Sequence, residues 1–130
     1  MYSAILLDHF NHPRNVGEIA EASVVIEASN PVCGDLMKLW AIVREGRILD
    51  VKFKAAGCVP SLACGSWLTE AILNKSLQEL AALSPDVVAS GLGGLPPASR
   101  HAAVLAIDVL KRLLAHVSSS AGPGIGNEKP

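Results

Sequence analysis

The spacing of hydrophobic positions changes period along the chain. Ile5, Leu6 and Phe10 fall on neighbouring turns and predict a short amphipathic helix over residues 2–10, which Pro13, Asn15 and Gly17 bring to an end. Residues 23–29 are rich in Val and Ile and predict a strand. Over residues 36–44, Met37, Leu39, Ala41 and Val43 alternate with Leu36, Lys38, Trp40, Ile42 and Arg44, the two-residue period of a second strand. Glu45-Gly46 is a tight-turn signal, and beyond it Leu49, Val51, Phe53 and Ala55 alternate with Asp50, Lys52 and Lys54. An antiparallel hairpin follows, its polar face toward water and its apolar face toward helices. From Pro60 onward the pattern is helical. A helix is predicted over residues 60–74, a capping box at Ser76 and Glu79, and a cap with a first-turn proline at Ser84-Pro85. Residues 91–97 interrupt the pattern, and Ala103, Ala106, Ile107, Leu110, Leu114 and Val117 then mark one face of a long last helix. Strands first and helices after them predict an α+β fold of two layers, a three-stranded antiparallel sheet covered on one face by helices.

Composition narrows the class. The chain has 130 residues, half of them hydrophobic and 18% charged, which predicts one globular domain over residues 1–117. Residues 118–130, SSSAGPGIGNEKP, have little to bury and read as a disordered tail. A net charge of −1 gives no electrostatic footprint for nucleic acid or an anionic membrane, and no apolar run is long enough to span a bilayer. Three cysteines, an odd number, and a start without a basic and apolar leader point to the reducing cytoplasm. A free thiol there is either a buried small hydrophobe or a metal-binding or reactive group.

Four residues carry candidate chemistry. Cys33 and Asp35 lie in the turn-rich stretch Asn-Pro-Val-Cys-Gly-Asp between two strands, a thiol and a carboxylate two residues apart. Cys58 follows Gly57 and opens a helix, where unpaired amide N–H groups favour a thiolate. His101 sits in the first turn of the last helix. All four stand at element ends, and together they supply the S, O and N donors that zinc and iron–sulfur clusters accept. Each also has a plain reading: Cys33 and Cys58 as buried small residues, Asp35 as a turn cap, His101 as a helix-start histidine. Cys64 falls in a helical stretch with Leu62 and Leu68 and reads as core. His9, His12 and His116 read as surface, and Gly91 to Gly94 as a helix-linking loop rather than a phosphate cradle. Cys58 and His101 would make a thiol-enzyme pair, with Asp35 as orienter, if the fold brought them within hydrogen-bond reach.

In order along the chain, Asp8-His-Phe-Asn-His-Pro-Arg-Asn-Val-Gly17, Pro31-Val-Cys-Gly-Asp-Leu-Met-Lys-Leu39, Gly57-Cys58 with Thr69-Glu70, and Leu95-Pro-Pro97 with His101 resemble the IscU/NifU-like iron–sulfur cluster assembly scaffolds. The resemblance runs from Met1 to about Val117. It implies a three-stranded antiparallel sheet with helices on one side, and a scaffold rather than a turnover enzyme. It implies a 2Fe–2S cluster or iron held by Cys33, Asp35, Cys58 and His101, sulfur from a cysteine desulfurase, and acceptor apoproteins that take the product. The family's third cysteine, which follows the histidine and accepts sulfur, is Ala102 here. That departure implies impaired persulfide acceptance, and makes zinc an alternative occupant in a scaffold of structural or regulatory role. The family's chaperone motif reads Leu95-Pro-Pro-Ala-Ser99, so the specialised Hsp70-type chaperone is not expected as a partner. The short interval from Cys58 to His101 fits the IscU/NifU-like branch better than the SufU-like one.

Overall fold

The computed structural model of the chain describes residues 2–31 and 34–120. Helix α1 (Ala4–Asn11) leads by a loop to strands β1 (Val24–Ser29), β2 (Leu36–Arg44) and β3 (Arg47–Ala56). Helices α2 (Val59–Ile72), α3 (Leu77–Leu80), α4 (Pro85–Gly91) and α5 (Arg100–Ser120) follow, with a 3₁₀ turn at Pro97–Ser99 leading into the last. The sheet is antiparallel throughout, in the order β1-β2-β3, as the alternation predicts. Glu45 and Gly46 both take positive φ (53° and 72°), the backbone that lets a two-residue loop match the twist of a hairpin. The capping box at Ser76 and Glu79 and the Ser84 cap with Pro85 in the first turn are both present.

Met37, Leu39 and Ala41 of β2 point to the same side as Val51 and Phe53 of β3, and α2 and α5 lie across that side. On the other face Trp40 is shielded in part by Lys38, whose ammonium sits 5.1 Å from the ring centroid. The core of α5 is wider than one stripe. Ala102, Leu105, Val109 and Leu113 are buried as well as Ala103, Ala106, Ile107 and Leu110, because α5 packs on the sheet, on α2 and on α4 at once. The helix continues to Ser120, and residues 121–130 lie outside the described residues.

The free edge of β3 is covered by the loop after α1. Gly17 donates to the Phe53 carbonyl (3.0 Å) and Phe53 donates to the Asn15 carbonyl (2.9 Å), so Val16 forms a parallel bridge to Phe53. A polar lock holds this loop and α1 on α2. Ser66 of α2, buried, accepts from the Arg14 amide (2.9 Å) and lies 2.8 Å from His9 Nδ1, while Asn15 donates to Thr69 (3.1 Å). His9, read from the sequence as a surface residue, is therefore buried (6% exposed). It lies on the α1 flank that meets α2, where Ser66 gives its ring a partner. His12 and His116 are exposed.

Candidate metal centre

Three of the four candidate residues meet at one end of the sheet, each delivered by a different element. Asp35 ends the β1–β2 loop, Cys58 is the N-cap of α2 directly after β3, and His101 is the second residue of α5. Their donor atoms all lie within 4.8 Å of one another. Cys33 lies outside the described residues. Cys64 is fully buried in α2 with its thiol pushed up to about 12 by desolvation, as a core cysteine should be.

The local contacts give each donor a fixed direction. Asp35 is 4% exposed, and its Oδ2 accepts from the Cys58 thiol (3.0 Å) and the Ser61 hydroxyl (2.5 Å). His101 Nε2 stands 3.5 Å from the same oxygen and 3.6 Å from Cys58 Sγ. The other ring nitrogen, Nδ1, lies 3.1 Å from the Ala98 carbonyl in the 3₁₀ turn, which can only accept. That contact places the imidazole proton on Nδ1 and turns the Nε2 lone pair toward Asp35 and Cys58, the arrangement that prepares a histidine for a metal.

Gly57 makes the approach possible. A Cβ there would sit 2.2 Å from Asp35 Oδ1, and its φ of +139° is one that residues with a side chain rarely adopt. The sequence signal Gly-Cys therefore has a geometric cause.

The surroundings of Cys58 work against the thiolate expected at a helix start. Burial, and then the hydrogen bond to Asp35, raise the Cys58 pKa, and the opposing hydrogen bonds from Ser61 only partly offset this. The amide groups at the start of α2 do not outweigh desolvation beside a carboxylate. The balance at Cys58 favours the thiol over the thiolate. Two site features were not singled out from sequence: Ser61, which touches both Asp35 and Cys58, and the buried setting of Ala102, which is 0% exposed. Ser61 had only its place three residues after Cys58 as a signal.

A three-stranded antiparallel sheet with helices on one side, and S, N and O donors clustered at one end, defines a two-layer α+β protein with a candidate metal site. The sequence matches the family described as the NifU-like N terminal domain over residues 1–120, and the chain belongs to that family. It is 44% identical over 114 residues to "Iron-sulfur cluster assembly scaffold protein IscU 1" of Archaeoglobus fulgidus, covering 88% of this chain and 74% of that protein. It is 38% identical over 119 residues to the Drosophila melanogaster protein called "Iron-sulfur cluster assembly enzyme IscU", covering 88% and 77%. Among solved structures, a putative iron-sulfur cluster assembly scaffold for the SUF system from Fervidobacterium islandicum superposes with a TM-score of 0.74 at 25% identity, over 87% of this chain and 96% of that one. The fold expected from periodicity and the family expected from the motifs are both found.

Proposed function

We propose that this protein is an iron–sulfur cluster assembly scaffold or carrier. Its cargo, iron or a 2Fe–2S cluster, would be held by Asp35, Cys58 and His101, with Cys33 as a further donor. The observation that carries this reading is the convergence of three donor atoms of different type within 4.8 Å. The residues fit such a cargo by chemistry: a soft sulfur that can give up a proton, an imidazole lone pair already oriented, and a buried carboxylate. Its scaffold relatives support the same reading.

The site is better suited to holding than to turnover. In a thiol enzyme Asp35 would orient the ring through Nδ1, but Nδ1 faces the Ala98 carbonyl and Asp35 meets Nε2. The raised pKa of Cys58 also argues against an activated nucleophile. A second reading, zinc as the occupant, is favoured by one feature: residue 102 is a buried alanine where a third sulfur would otherwise stand, leaving a mixed S/N/O set that suits zinc. On the first reading the partners are a cysteine desulfurase and apoprotein acceptors in the cytoplasm. No helix among the described residues is long and apolar enough to cross a membrane.

Anaerobic purification followed by metal analysis and an ultraviolet–visible spectrum tests the proposal. Iron with sulfide and visible charge-transfer bands supports the scaffold, and about one colourless zinc per chain supports the second reading. Protein that retains no metal, and takes up neither zinc nor ferrous iron with sulfide, overturns both.

A further inference from the structure

Ser61 makes a short hydrogen bond to Asp35, and neither the spacing of donors nor their type accounts for it. Ser61 is the third residue of α2 and is 0% exposed. Its hydroxyl donates to Asp35 Oδ2 at 2.5 Å and lies 3.4 Å from Cys58 Sγ, while its own amide is satisfied by the Cys58 carbonyl at 3.1 Å. Oδ1 of Asp35 thus fills the space that a side chain at Gly57 would need, and Oδ2 accepts the Ser61 hydrogen bond. A carboxylate has several lone pairs, so accepting from Ser61 still leaves it able to meet a cation.

We infer that Ser61 is a positioning residue for the cargo metal, holding the Asp35 carboxylate in the plane that faces Cys58 and His101. This deepens the proposed function and rests on Asp35 being a donor. Ser61 differs in kind from the donors, since a neutral hydroxyl already spending its proton on Asp35 is a poor ligand. Outer hydrogen bonds of this type fix ligand orientation, and their loss usually weakens metal binding by about 10–100-fold. Ser61→Ala removes one oxygen from a buried position, and with it the hydroxyl that orients Oδ2 once the Cys58 proton has gone in the metal-loaded state.

Cobalt(II) alone serves as the probe, because its visible ligand-field bands report the coordination sphere independently of any cluster-assembly activity. Isothermal titration of the reduced protein with Co²⁺ would compare wild type, Ser61→Ala, Asp35→Ala and the double variant. The expected result is a Kd raised about 10-fold in Ser61→Ala, with shifted ligand-field bands at saturation, and no further weakening when Ser61→Ala is added to Asp35→Ala. An unchanged Kd and spectrum in Ser61→Ala, with Asp35→Ala clearly weakened, overturns the inference and leaves the proposed function standing. Equal weakening by Ser61→Ala with and without Asp35 also overturns it, because Ser61 would then act through α2 rather than the carboxylate. Wild type that binds no Co²⁺, or Asp35→Ala that binds as tightly as wild type, removes the reading of Asp35 as a donor and the inference with it. Should Ser61→Ala fail to fold, Ser61→Gly takes its place with the same outcomes.

Discussion

His9 shows how much burial can alter a residue's chemistry. Desolvation first, and then the Arg14 charge, lower its pKa below 6.5, while Glu70 and Asp8 pull it up but do not prevail. Folding therefore favours the neutral ring, and the unfolded chain binds the proton more readily. The sign follows: stability from His9 is fully present above about pH 6.5 and is lost as pH falls below that value. Thermal melts of the metal-free protein between pH 7.5 and 5.5 should show a falling Tm, and His9→Gln should flatten that fall while lowering Tm at pH 7.5. An unchanged slope in the variant would assign the pH dependence to another group. Sequence could not reveal this histidine. Its partner Ser66 is 57 positions away, and a lone His beside Phe10 looks the same whether the adjacent face is covered or bare.

At the scale of elements, the close approach of α2 to the sheet rests on Gly65. A Cβ at that position would lie 2.4 Å from the Phe53 ring, which is itself fully enclosed, so the helix or the ring would have to move. Gly65→Ala gains up to about 1 kcal/mol in helix propensity. Overpacking a filled core typically costs about 1–3 kcal/mol. The net expectation is a loss, seen as a lower urea midpoint with an unchanged m-value; a rise in midpoint would mean that α2 can shift freely. The same element shows what a sequence discloses. Periods of two and 3.6 residues, the Glu45-Gly46 turn and the Ser76 capping box report local geometry, so sheet order and helix starts were readable. A period says which face is apolar but not how many neighbours cover it, so the multiple packing of α5 was missed. The convergence of Asp35, Cys58 and His101 was expected because all three stand at element ends, whereas Ser61 lies inside a helix and meets Asp35 only through tertiary folding.

Across the whole molecule, the three proposed donors are separated by 23 and 43 positions, so only the folded chain brings them together. A metal that binds there and not to the unfolded chain stabilises by mass action, about 2.7 kcal/mol at a free concentration 100 times Kd. For a chain of this size that corresponds to a rise in Tm of roughly 6–14 °C. Differential scanning calorimetry with and without excess zinc should record it, and chelation should reverse it; a Tm indifferent to both would place any bound metal on a site that the unfolded chain also offers. The sheet itself has a different consequence. With residues 15–17 laid along β3, the strand at the other side, β1, has a single strand partner among the described residues. A strand edge without a partner invites the same strand of another molecule to add to it, the first step from a solution of monomers toward a growing fibril. β1 is six residues long, and exposed Glu27 stands in its middle. Two molecules joined there as antiparallel copies about that point would bring like charges face to face, so one carboxylate deters the sheet from extending beyond a single chain.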